Sequence, residues 1–136
     1  MITATIETAI KLKAAGWTKP TELVYTNYYH GEPTDKMHIG FPAHTTDPNK
    51  RYAPTTEEIL ADLPMSFIIP CGQRDKIFYL SISPSSIKRY VVAYFYADDF
   101  IGSFHNDILC EALAELWLWA KENGYIKAEK AKEGQW

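Results

Sequence analysis

Arg89-Tyr90-Val91-Val92-Ala93-Tyr94-Phe95-Tyr96 is the stretch on which the fold turns. Successive side chains of an extended chain point to opposite faces, so Arg89, Val91, Ala93 and Phe95 share one face and Tyr90, Val92, Tyr94 and Tyr96 the other. Both faces are largely apolar, which predicts a strand that is central in its sheet or covered on both sides. Two further strand-like runs precede it, Ser66 to Ile69 and Lys76 to Ser83. The links between the three, Pro70-Cys71-Gly72-Gln73-Arg74-Asp75 and Ser83-Pro84-Ser85-Ser86, are short and turn-rich, and short links join antiparallel neighbours because parallel strands need a long crossover.

Moving outward, the chain closes with its strongest helical pattern. From Asn106, read as an N-cap, the residues Ile108, Leu109, Ala112, Leu113, Leu116, Trp117, Trp119 and Ala120 form a broad apolar face, and Gly124 is placed to end the helix. Asp107, Glu111, Glu115 and Glu122 lie on the opposite side, expected to be solvated, with Leu118 as an apolar exception there. On the other flank, Thr55 with Glu58 three residues later forms a capping box for a helix that Pro64 stops after Leu63. Thr5 to Ala15 reads as a short first helix with Gly16 as its left-handed C′ residue and Trp17 packing back on it. Glu22 to Tyr29 reads as a strand, and His30 to Pro54 as mostly loop with a brief strand over Met37 to Phe41.

These elements predict one α+β domain over residues 1–126: a mainly antiparallel sheet of four to five strands packed with an N-terminal helix and a long C-terminal helix. The charged tail 127–136 ends in Trp136, an anchor that would dock it on its own domain or on a partner subunit. A chain of 136 residues, 46% hydrophobic, buries enough surface for a core without disulfides. A net charge of −3 and a pI of about 5.8 argue against a general nucleic-acid binder. No apolar run approaches the ~20 residues of a membrane span, and the N-terminus lacks the pattern of a signal peptide, so a cytoplasmic location is expected. Cys71 and Cys110 are expected to be free thiols. Aromatic residues make up 14% of the chain, a richness that serves cores, interfaces and stacking sites alike.

Three segments taken together resemble a family of small phage- and prophage-encoded proteins. They are Lys11-Leu12-Lys13-Ala14-Ala15-Gly16-Trp17, Tyr52-Ala53-Pro54-Thr55-Thr56-Glu57-Glu58-Ile59-Leu60-Ala61-Asp62-Leu63-Pro64, and Glu111-Ala112-Leu113-Ala114-Glu115-Leu116-Trp117-Leu118-Trp119-Ala120-Lys121-Glu122-Asn123-Gly124-Tyr125-Ile126. The matching positions are mainly helix caps and core residues, so they describe a scaffold and bring no catalytic residues with them. What the resemblance implies is context: a phage-borne gene acting in the cytoplasm of a bacterial host.

Chemistry-bearing residues concentrate in and around the His30 to Pro54 segment. His30, Glu32, Asp35, His38 and His44 have irregular spacing and no helical His pair, so no metal and no other cofactor is expected. His44-Thr45-Thr46 fits one element of a two-histidine phosphoesterase, but neither His30, His38 nor His105 supplies the second. The ingredients of a nucleotide-like ligand site are more complete. Tyr25, Tyr28, Tyr29 and Tyr52 offer stacking faces, Arg51 and Arg74 can grip phosphate, and His30 or His44 can read a polar edge. The candidate ligand-binding set is therefore Tyr28, His30, His44, Arg51, Tyr52 and Arg74.

The expected function is a non-enzymatic phage accessory protein acting by binding. Its concrete form is a counter-defence protein that sequesters a nucleotide-derived immune signal. Binding and inhibition of a host protein through a flat surface is the alternative, and a histidine-dependent hydrolase is a further one. A homo-oligomer, specifically a homodimer, is expected from the tyrosine-rich face of Arg89 to Tyr96 and from the tail.

Overall fold

The deciding stretch is strand β6 (Tyr90–Tyr96), third in a four-stranded antiparallel meander with β4 (Ser66–Cys71), β5 (Arg74–Pro84) and β7 (Asp99–Asn106), in the order β4-β5-β6-β7. A second sheet, of three strands, is formed by β1 (Val24–Tyr29), β2 (Glu32–Gly40) and β3 (Arg51–Tyr52) in the order β2-β1-β3, again antiparallel. Three helices complete the chain: α1 (Ile6–Ala14), α2 (Thr56–Asp62) and α3 (Leu109–Glu122). The computed structural model describes residues 2–29, 31–42, 50–84, 89–97 and 99–126. The expected tail 127–136, His30, His44 and the side chain of Cys71 lie outside the described residues. The α+β architecture with antiparallel sheets and terminal helices is thus present, its strands divided between two sheets.

One face of the four-stranded sheet carries the core. Val92 and Tyr94 of β6 are fully buried against α3, whose Ala112, Leu113, Leu116, Trp117 and Ala120 are buried in turn. Phe67 stacks on Tyr125 at a ring separation of 4.0 Å and meets Tyr94 edge-on at 4.6 Å, while Trp17 tilts against Trp117 at 5.3 Å. The middle of the tyrosine-rich face of β6 is therefore spent inside the protomer. α3 covers Val92 and Tyr94 of this face, while Tyr90 and Tyr96 at its ends are half-buried. The opposite face exposes Ile68, Ile77, Tyr79 and Phe100, with Ile68 57% and Phe100 59% accessible. β6 is central in its sheet, and the face shared by Ala93 and Phe95 carries no helix among the described residues.

Both long-range helix stops read from the sequence are glycine-terminated turns of one type. Gly16 (φ 109°) and Gly124 (φ 81°) adopt the left-handed conformation. In each case the glycine N–H and the following aromatic N–H donate back to the last turn: Gly16 to Lys13 O and Trp17 to Leu12 O, Gly124 to Lys121 O and Tyr125 to Ala120 O. The capping box of α2 is complete, with Thr55 Oγ1 accepting from Glu58 N and Glu58 Oε1 accepting from Thr55 N.

Several boundaries differ from the sequence reading. Within the His30 to Pro54 segment the strand is longer than Met37 to Phe41, because β2 runs nine residues along a sheet edge. Its first half, Glu32-Pro33-Thr34-Asp35-Lys36, is exposed on both faces and so carries no alternation, and Pro33 is tolerated because the strand is at an edge. β7 has no counterpart in the reading. Ala97, which precedes it, takes φ 52° without being glycine, and a bulge opposite Ala93 breaks the period. Asn106 is not the N-cap of α3. It ends β7 and accepts from Ile108 N through Oδ1 at 2.9 Å, so the helix starts at Leu109 with no side-chain cap.

Candidate functional site

Two of the acidic residues expected to be solvated on α3 are structural. Glu111 accepts hydrogen bonds from Thr5 N at 2.9 Å and from the hydroxyls of Thr5 and Thr8, supplying an acceptor and a negative charge where α1 has orphan N–H groups. Glu115 accepts from Asn106 Nδ2 at 3.2 Å. This attachment fixes the N-terminal end of α1, and the Gly16 turn swings Trp17 under its other end. The indole N–H of Trp17 donates to Lys19 O at 2.9 Å.

Opposite α1 lies the short strand β3 and its continuation. Arg51 pairs with Tyr25 and Tyr52 with Val24, Ala53 N donates to Leu23 O, and Pro54 O accepts from Ala4 N at 2.8 Å. The segment Arg51-Tyr52-Ala53-Pro54 is thus held by β1 on one side and by the chain's first residues on the other. Between it and α1 opens a cleft of about 220 Å³. Ala9, Leu12, Trp17 and Pro54 contribute apolar lining, while Lys13, Lys50, Arg51 and Tyr52 contribute the polar part. Among the described residues the lining holds three cationic residues and no carboxylate. The two ion pairs present among the described residues, Lys19–Asp62 and Lys76–Asp99, use none of the three.

Of the candidate ligand-binding set, Arg51 and Tyr52 meet in this cleft. Tyr28 sits further along β1, paired with Pro33, and does not line it. Arg74 is exposed at the turn between β4 and β5, opposite Cys71 in the other sheet, and is not brought to the cleft. Tyr25 donates its hydroxyl to Ala4 O at 2.6 Å, a structural use, and the exposed Tyr29 ring meets His38 edge-on at 6.3 Å. Lys13, Trp17 and Lys50 were not singled out for a site by sequence reasoning. The direct neighbour Lys50 of Arg51, and the four-residue step from Lys13 to Trp17 across a helix end, were the signals that could have found them.

The remaining reactive groups do not assemble. Cys110 is a free buried thiol, its ionisation pushed up to about 11 chiefly by burial, with its Sγ 3.7 Å from Pro54 O. A thiol held protonated in this way is a poor nucleophile. Among the described residues no three His, Cys, Asp or Glu side chains come together, and His38 and His105 stand in different sheets. No helix among them is long and apolar enough to cross a membrane. Comparison with known proteins found no matching family model, no matching curated protein and no matching solved structure.

Proposed function

We propose that the protein works by binding, holding a small nucleotide-derived anion in the cleft between α1 and β3. The observation that carries this reading is the convergence of Lys13, Lys50 and Arg51 with Trp17 and Tyr52 in one cleft, with no carboxylate among its described lining residues. Cations and aromatic faces brought together by separate parts of the chain suit a ligand with a flat ring and a negative group. Together with the resemblance to phage-encoded proteins, this supports an accessory role in the cytoplasm of a bacterial host, in which the protein sequesters a nucleotide-derived immune signal.

Native mass spectrometry of protein purified from its host, beside a denatured sample, tests the reading directly. The expected result is an excess mass of a nucleotide that disappears on denaturation. Arg51→Ala and Tyr52→Ala should each lower affinity for that molecule at least tenfold while leaving the circular dichroism spectrum unchanged. Variants that bind as tightly as the parent would reject the cleft.

A second reading, inhibition of a host protein through a flat surface, is favoured by a different observation. Ile68, Ile77, Tyr79 and Phe100 lie exposed on the uncovered face of the four-stranded sheet. A homo-oligomer built by apolar burial would use this same face, since Val92 and Tyr94 at the middle of the other face are buried under α3.

A further inference from the structure

The cleft constrains which anion it takes. Three cationic residues line it, with no carboxylate among the described lining residues, in a chain that is acidic as a whole, with 17 Asp+Glu against 14 Lys+Arg. A singly charged diester would leave most of that positive charge uncompensated. A phosphomonoester, with a charge of about −1.5 to −2 at neutral pH and three terminal oxygens, matches it, and Arg51 adds a forked donor pair that such oxygens accept. The cleft, about 220 Å³, has room for one ring, since an engineered cavity of about 150 Å³ takes one benzene.

Resting on the reading of this cleft as a nucleotide site, we infer that the protein selects a mononucleotide bearing a terminal phosphomonoester. Its base lies against Tyr52, over the floor that the buried Trp17 forms, and its phosphoryl group is held by Lys13 from α1 and by Lys50 and Arg51 from the β3 side. Among the described residues the lining offers no histidine and no carboxylate, and a diester comparison separates the ligand's own ionisation from any titration in the protein.

Isothermal titration of the full chain with AMP, GMP, CMP and UMP tests this. The comparison ligands are the matching nucleosides, the 3′,5′-cyclic monophosphates as diesters, a cyclic dinucleotide, and inorganic phosphate. At least one monophosphate should bind tenfold or more tightly than its nucleoside and its cyclic diester at pH 7.5. Its affinity should fall about tenfold at pH 5.0, as the phosphate's second ionisation near pH 6 is reversed. The diester, which keeps one charge throughout, serves as the control for any titration in the protein. Lys13→Ala, at an exposed helix position, and Lys50→Ala should remove the monoester preference without unfolding the chain. Equal or tighter binding of the cyclic dinucleotide or diester overturns the inference but keeps the nucleotide-binding reading. Inorganic phosphate binding as tightly as any mononucleotide overturns the part assigned to the rings. Binding of none of these ligands overturns both the inference and the reading beneath it.

Discussion

Cys110 shows how burial sets the behaviour of one side chain. Its thiol ionises at about 11 in the folded protein against an ordinary value of 9.0, chiefly because the anion would be desolvated between α3 and the Pro54 carbonyl. For an acid whose folded value is raised, the unfolded chain loses its proton first, so stability is intact below about pH 9 and declines as pH rises from 9 towards 11. Tyr94, raised by the same cause, adds to the decline at the upper end. Urea unfolding midpoints should therefore fall between pH 8.5 and 10.5 in the parent, and fall less steeply in Cys110→Ala. A parent and variant with parallel profiles would show that the thiol does not contribute. Burial of this residue was legible in the sequence from its place beside an apolar helical stripe. Its neighbour across the fold, Pro54, was not, since 56 residues separate them.

Glu58 does more at the scale of elements than a capping box requires. Besides accepting from Thr55 N, it accepts from Glu22 N at 2.8 Å through its other oxygen, tying α2 to the segment that leads into β1. Thr55→Ala removes one cap interaction and should cost about 1 kcal/mol. Glu58→Ala removes the reciprocal bond and the tie to Glu22 and should cost more, about 1.5 to 2 kcal/mol in chemical denaturation. Equal losses would mean the Glu22 bond is replaced by water at no cost. The Thr55/Glu58 signature was legible because capping is local, written in four consecutive positions. The same holds for Gly16 and Gly124. Elements whose evidence is not local were missed: the exposed half of β2 has no core to pattern it, and β7 is broken by Gly102. That glycine, at φ 59°, lies so close to the Trp119 ring that a Cβ there would sit 2.6 Å from it.

At the scale of the whole molecule, the two sheets divide the chemistry. The three-stranded sheet and α1 frame the cationic cleft, whereas the four-stranded sheet buries the aromatic core on one face and exposes Ile68, Ile77, Tyr79 and Phe100 on the other. The paired substitution Ile68→Thr with Phe100→Thr should reduce concentration-dependent association in sedimentation velocity, leave the unfolding midpoint within error and leave ligand affinity unchanged. Undiminished association would exonerate this face. The candidate site was half legible for a related reason. Arg51 and Tyr52 are adjacent in sequence and were found together, while Lys13 and Trp17 reach them only through the folding of α1 onto β3. Tyr28 and Arg74 have suitable chemistry but are carried elsewhere by their strands.

The tilted contact of Trp17 with Trp117, 5.3 Å apart at 58°, joins the cleft to the centre of the core. Two indoles at that separation and inclination absorb as a coupled pair, and the coupling depends on their mutual angle. Anything that settles against Trp17 shifts one member of the pair while α3 holds the other. The protein is in that sense labelled from within, and a ligand that moves Trp17 should change its near-ultraviolet circular dichroism.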